Sequence, residues 1–310
     1  MIVTKLLGIK YPIFQGAMAQ IAKYELVSAV SNAEGLGILA SGGMSAEDLR
    51  EQIRECKKRT SKPFAVNLML MMPNVDEIID VIIEEGVRIV TTGAGTPRKY
   101  MPKLKEASIK VIPVIPSVKA AKKMEELGVD AIVVEGMEAG GHVGESTTMA
   151  LLPQVTEAVN IPVIAAGGIG DGRGVAAAFC LGASGVQLGT VFLATNECPI
   201  SENYKNLVLE ATDTSTTLTG TKFGAPVRGI KNELTKRYHE LEEKSSTLME
   251  LEELTLGSLR KAAYEGDVEN GSVMSGQIAG MVKQIQPVEK VIETIFKEAK
   301  EVLEKTKIEY

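Results

Sequence analysis

Basic residues are outnumbered in this chain: 34 Lys and Arg stand against 40 Asp and Glu, a net charge of −6. The positive footprint with which a nucleic-acid binder holds phosphates is missing. Cysteine is scarce as well. Cys56, Cys180 and Cys198 form no CxxC pair and have no histidine at ligand spacing, which argues against structural zinc and fits a reducing compartment. No window offers the roughly 18 uncharged apolar residues of a membrane span, and the apolar stretch before Lys10 and Tyr11-Pro12 is too short for a signal peptide. A soluble, cytoplasmic protein acting on a small or acyl substrate is expected, with neither nucleic acid nor membrane as partner. A dinucleotide fingerprint is also absent, because Gly168-Ile-Gly170-Asp-Gly172 is followed by Arg173 where GxGxxG needs its last glycine.

What the chain does have is a long βα alternation. Apolar or β-branched runs at 13–14, 35–40, 64–69, 88–93, 110–115, 131–134, 163–168 and 185–190 read as strands. Helix-like stretches separate them: 24–32, one opened by a capping box at Ser45-Ala-Glu-Asp48, one capped at Asn74, one running from Ser117 to Gly128, then 149–160 and 174–181. Pro113 removes a ladder donor and counts against a central place for its strand. About eight such units predict an α/β TIM (β/α)8 barrel, with a doubly wound open sheet as the alternative. After Val191 the pattern changes to Thr-rich and charge-dense segments. Residues 1–198 are therefore read as the barrel, 199–286 as a lid or insertion over its mouth, and 287–310 as a terminal amphipathic helix returning to the wall.

The chemistry points to the end of the sixth strand. The run 131–134 leads into Glu135-Gly-Met-Glu-Ala-Gly-Gly-His142-Val-Gly144, a glycine-dense stretch read as a flexible loop holding one of only two histidines. Carboxyl ends of strands are where such barrels mount catalytic groups, and Gly136, Gly140, Gly141 and Gly144 suggest close backbone approach to a ligand. The alternative is an ordinary loop histidine. Gly167-Gly168 and Gly189-Thr190 end the last two strands, where backbone N–H groups converge on phosphate in barrels of this type. Gln15, Asn67, Thr92, Glu135 and Gln187 are polar residues at strand ends in apolar surroundings, which suggests a polar ligand among them.

Taken together, residues 11–19 (YPIFQGAMA), 64–69 (FAVNLM), 90–95 (VTTGAG), 135–142 (EGMEAGGH), 164–169 (IAAGGI) and 186–190 (VQLGT) resemble the flavin-dependent nitronate monooxygenase superfamily. The tail stretches 223–232 (FGAPVRGIKN) and 271–280 (GSVMSGQIAG) resemble its enoyl-acyl-carrier-protein reductase II branch. The resemblance covers nearly the whole chain. It implies an FMN barrel that passes hydride from NADH or NADPH to a trans-2-enoyl thioester on acyl carrier protein, in fatty-acid elongation. It further implies that Gly167, Gly168, Gly189 and Thr190 hold the FMN phosphate. Asn67, Glu135 and Gln187 would address the ribityl chain or ring, with Thr92 as a further polar strand end, and the backbone at Ala17-Met18 would pack beside the ring. His142 matches the histidine placed over the flavin. A monovalent cation and a homodimer are family expectations. Carrier proteins are acidic, so a basic docking surface is expected, with Lys222, Arg228, Lys231 and Arg237 as candidates. Two other readings stay open: a nitronate monooxygenase on the same FMN barrel, and a flavin-free phosphate-sugar isomerase or lyase.

Overall fold

The structure, a computed structural model, describes residues 2–244 and 247–307. Its strands in chain order are β1 (Ile13–Gln15), β2 (Gly37–Ala40), β3 (Phe64–Met69), β4 (Ile89–Gly93), β5 (Lys110–Ile115), β6 (Ile132–Glu135), β7 (Gly141–His142), β8 (Val163–Ala166), β9 (Gly185–Leu188), β10 (Thr216–Thr219) and β11 (Val227–Ile230). Eight of these form one sheet in the order β1-β9-β8-β6-β5-β4-β3-β2, every pair parallel. Its two ends meet. Phe14 bridges Leu36, the Gln15 N–H donates to the Leu36 carbonyl at 2.9 Å, and the Gln15 side chain bonds both the N–H and the carbonyl of Ile38. The sheet is thus a nearly closed barrel alternating with helices, and the open-sheet alternative falls.

Pro113 lies in a central strand after all, between β4 and β6. A barrel offers a proline no free edge, and the lost donor falls where pairing with β6 is short, through Val114↔Val133 and Ile115↔Val134 alone. The local helix signals hold: Ser45 and Asp48 form a reciprocal capping box on helix Ala46–Arg59, and Ser117 accepts from the Ala120 N–H on helix Val118–Glu126. Asn74 occupies the cap position of helix Val75–Glu84, but its side chain donates to the Met44 carbonyl instead.

Side chains alternate across each strand, so residues two apart share a face. Phe14, Ile38, Ala65, Ile89, Ile112, Val133 and Ile164 fill the lumen as one buried cluster. Helix Ile2–Leu7, which the sequence reading did not identify, adds Val3 and Leu7 to that cluster. It stoppers the end of the barrel opposite the site. The intervening residues, among them Ile13, Leu39, Val66 and Val90, join the larger cluster beneath the outer helices.

Beyond β9, antiparallel β10 and β11 join β7 in a second sheet of order β10-β11-β7. The last helix, Val288–Lys305, lies on helix Gly172–Cys180 and buries Val291, Ile292 and Ile295, while Glu298 accepts from the Gly172 N–H at 2.9 Å. Among the described residues, no helix is long and apolar enough to cross a membrane.

The stopper is testable. Leu7 is 4% exposed, and deleting its buried methyl groups should cost about 2–5 kcal/mol. Leu7→Ala is expected to lower the urea midpoint by that loss divided by an unchanged denaturant slope; an unchanged midpoint would mean that the helix contributes no core.

Candidate active site

A cavity of about 590 Å³ opens at the carboxyl ends of the strands. Its floor follows from the pleat. Two residues beyond the apolar lumen positions Ile38, Ala65, Ile89, Ile112 and Val133 come Ala40, Asn67, Thr91, Val114 and Glu135, and all five line the cavity together with Gln187 of β9. Four of these six are polar. Asn67 donates to Thr91 Oγ1 at 3.0 Å, whereas Gln187 and Glu135 have no side-chain partner among the described residues. With nothing to stabilise its charge, Glu135 is pushed by burial from the ordinary 4.5 to about 7. A carboxyl left this way at the base of a concave site is a demand for a polar ligand.

The roof comes from far along the chain. His142 lies on a strand, not in the flexible loop expected from its glycines: Val227 pairs with His142, Arg228 with Gly141, and the Val143 N–H donates to the Pro226 carbonyl at 3.1 Å. The imidazole stays exposed at the mouth, yet the surrounding walls withdraw enough water to lower its pKa below the usual histidine value. Residues 274–277 wedge in beside it. The Gly276 N–H donates to Thr190 Oγ1 and the Gln277 N–H to the Glu138 carbonyl, both at 2.9 Å. A Cβ on Gly140 would stand 2.8 Å from the Ser275 carbonyl carbon, so only glycine lets these two segments meet.

Of the residues singled out from sequence, Ala17, Met18, Asn67, Glu135, His142, Gln187, Gly189 and Thr190 line this one cavity. Thr92 does not. It falls on the outward parity with Val90, buried with its hydroxyl unpartnered, and its neighbour Thr91 takes the lumen position. Gly167 and Gly168, both at positive φ, are also off the cavity wall. They face the β6 loop, where Thr148 Oγ1 donates to the Gly167 carbonyl and the Glu138 carboxylate, bound to the Thr148 N–H at 2.9 Å, lies against Gly168. Gln15 serves the barrel seam. Arg228, read as surface, is 4% exposed, whereas Lys222, Lys231 and Arg237 are exposed. The lining residues that sequence reasoning missed are mostly apolar: Met69, Met71, Ile115, Pro116, Leu259, Ala225 and Met274. The last three come from the C-terminal segment. No thiol lines the cavity, and burial pushes Cys56 and Cys198 to about 12.

A (β/α)8 barrel whose cavity has a polar floor and a strand-mounted histidine at its mouth places the chain in the class of barrels that carry their ligand sites at the carboxyl ends of the strands. The nitronate monooxygenase family profile matches residues 1–79 and 74–298, and the chain belongs to that family of oxidoreductases. It is 35% identical to a probable nitronate monooxygenase of Staphylococcus saprophyticus, over 97% of this chain and 98% of the relative. It is also 35% identical to the (3aS,4S,5R,7aS)-5-hydroxy-7a-methyl-1-oxo-octahydro-1H-indene-4-carboxyl-CoA dehydrogenase of Mycobacterium tuberculosis, over 96% and 95%. The solved structure of FabK, an enoyl-ACP reductase II, from Thermotoga maritima superposes with a TM-score of 0.95 at 49% identity, covering 98% of this chain and 97% of that one.

The unpaired carboxyl carries a pH signature. The unfolded chain releases the Glu135 proton near 4.5 and the folded protein only at about 7. Stability should therefore fall as pH rises through that window, by at most about 3 kcal/mol. In cofactor-free protein, Glu135→Gln is expected to be more stable than wild type at pH 8 and nearly equal at pH 4 by urea denaturation. Equal stability at both values would show that Glu135 has found a partner.

Proposed function

We infer that the chain is an FMN-dependent enoyl-[acyl-carrier-protein] reductase, using NADH or NADPH to reduce trans-2-enoyl thioesters in fatty-acid elongation. One observation carries this reading. Ala225 and Met274 belong to the two tail stretches that resemble the reductase branch, and both line the same cavity as His142. The similarity to FabK across 98% of the chain supports it.

The residues fit the cofactor. A cavity of about 590 Å³ has the size for a mononucleotide, and the unpartnered Glu135 and Gln187, with Asn67 beside them, suit ribityl hydroxyls and a ring edge rich in donors and acceptors. Gly189 and Thr190 would turn backbone N–H groups towards the phosphate. The backbone at Ala17-Met18 would pack beside the ring. Flavin mononucleotide, when bound, supplies a carrier that takes hydride from a nicotinamide and returns it to an electron-poor carbon.

The protein's own part is to hold the thioester and manage its charge. Met69, Met71, Ile115, Pro116 and Leu259 offer an apolar wall for the acyl chain. As hydride reaches the β-carbon, negative charge grows on the thioester carbonyl oxygen. His142, whose pKa the surrounding walls lower, donates an N–H to that oxygen and passes a proton to the α-carbon while its other ring nitrogen takes up a replacement proton from water, work typically worth about 10²–10⁴-fold.

The second reading is a nitronate monooxygenase, favoured by the name of the Staphylococcus saprophyticus relative. It would use the same cavity, with His142 as the base that holds the nitronate. A phosphate-sugar isomerase or lyase is not favoured, since the cavity wall has no lysine and Glu135 as its one carboxylate.

Under anaerobic conditions, the yellow protein is expected to bleach with NADH or NADPH and to recover its colour when an enoyl thioester is added. Bleaching by a nitronate but by neither nicotinamide would establish the monooxygenase instead. His142→Ala should keep its bound flavin while losing at least about 10²-fold in turnover; undiminished turnover would leave the histidine with no catalytic part.

A further inference from the structure

Arg228 stands out among the basic residues because the fold takes it out of water. It lies in the middle of β11, opposite Leu218 of β10 on one side and Gly141 of β7 on the other, and is 4% exposed. Its Nε–H donates to the Met137 carbonyl at 3.0 Å and an Nη–H to Thr216 Oγ1 at 3.2 Å. No carboxylate of a described residue forms an ion pair with it, although the charge of Glu138 acts on it from nearby. A buried cation without a paired anion is costly.

The position repays that cost in geometry. The segment that carries His142 leaves β6 at Glu135 and passes through Met137 to Gly141. The Arg228 backbone holds its far end by strand pairing, and the side chain reaches back to hold its near end at Met137. Between the two grips lie Glu138, Ala139 and Gly140, with glycine following at Gly141. Glu138 is itself held, at its carboxylate by the Thr148 N–H and at its carbonyl by the Gln277 N–H, and Arg228 fixes the stretch on either side of it. The β7–β11 pairing spans only two residue pairs. A guanidinium is suited to this role because its donors are fixed in one plane and remain charged.

We propose that Arg228 is a positioning residue that clamps the Met137 carbonyl to β11 and so fixes the His142 imidazole at the cavity mouth, partly withdrawn from water. Its effect on turnover rests on the reading of His142 as the catalytic group; its effect on the imidazole's surroundings does not. Partial burial lowers the His142 pKa. Glu135 shares the cavity, and Glu138 and Arg228 lie behind the segment. A released segment would therefore rehydrate the ring and raise its pKa.

The chain has two histidines, His142 and His239, so proton NMR of the flavin-loaded protein can follow each through a pH titration. In Arg228→Gln, the His142 midpoint is expected to rise towards the ordinary value of about 6.5, with His239 unmoved. Turnover should fall about 10–100-fold while flavin content and the visible spectrum stay as in wild type. Arg228→Lys, which keeps the charge but places its donors on a single atom, should recover part of both. Should the glutamine variant fail to fold, Thr216→Val removes one arm of the clamp and should move His142 in the same direction by less. An unmoved His142 midpoint in a folded variant overturns the proposal, and so does an equal movement of both histidines, which would report general loosening. If His142→Ala retained full turnover, the catalytic reading would fall, while the NMR titration would still decide whether Arg228 positions the ring.

Discussion

The two-residue pleat of a closed barrel is the constraint on which the site depends. Once the ends of the sheet meet at Phe14 and Leu36, every strand must send one parity of side chain into a lumen that nothing but side chains can fill. The lower positions satisfy this with apolar residues stoppered by Val3 and Leu7. The next positions up are Asn67, Thr91, Glu135 and Gln187, and the side chains of Glu135 and Gln187 have no partner among the described residues. A chain that buries polar groups without partners forfeits stability unless something else pairs with them. The loss is local, and it lies where the ligand would go.

Much of this architecture was legible in the sequence because the signals are local. Alternating apolar runs and capping residues such as Ser45 and Ser117 act within a few residues of themselves. The family motifs carried eight candidate residues to the cavity wall. Thr91 and Thr92 show where such reading stops: two adjacent threonines at the end of one strand are interchangeable in composition, and only the register with β3 assigns Thr91 to the lumen opposite Asn67. The motif at Gly167-Gly168 was read as part of a phosphate cradle; in the fold its left-handed backbone lies beside Thr148 and the Glu138 carboxylate, a neighbourhood that the sequence did not show.

Long-range pairing was harder to see. His142 sits in a stretch so rich in glycine that it reads as loop, and the strand that straightens it begins at Val227. Arg228 was read as a surface charge for the same reason, since a basic residue looks solvated until its strand acquires a partner on each side. The helix at Ile2–Leu7 has too few turns to show a face, and its apolar residues acquire meaning only from the lumen that they close.

The distance between paired strands also orders the assembly of the molecule in time. β1 emerges first and pairs with β9, so the barrel seam stays open while most of the wall is made. β7 then waits for β11, and Thr190 waits for Gly276. Domains form as their segments leave the ribosome, at about 5–20 residues per second. The cavity mouth is accordingly completed only once Gly276 has been made: a nascent polypeptide carries all eight barrel strands well before it carries a seated histidine.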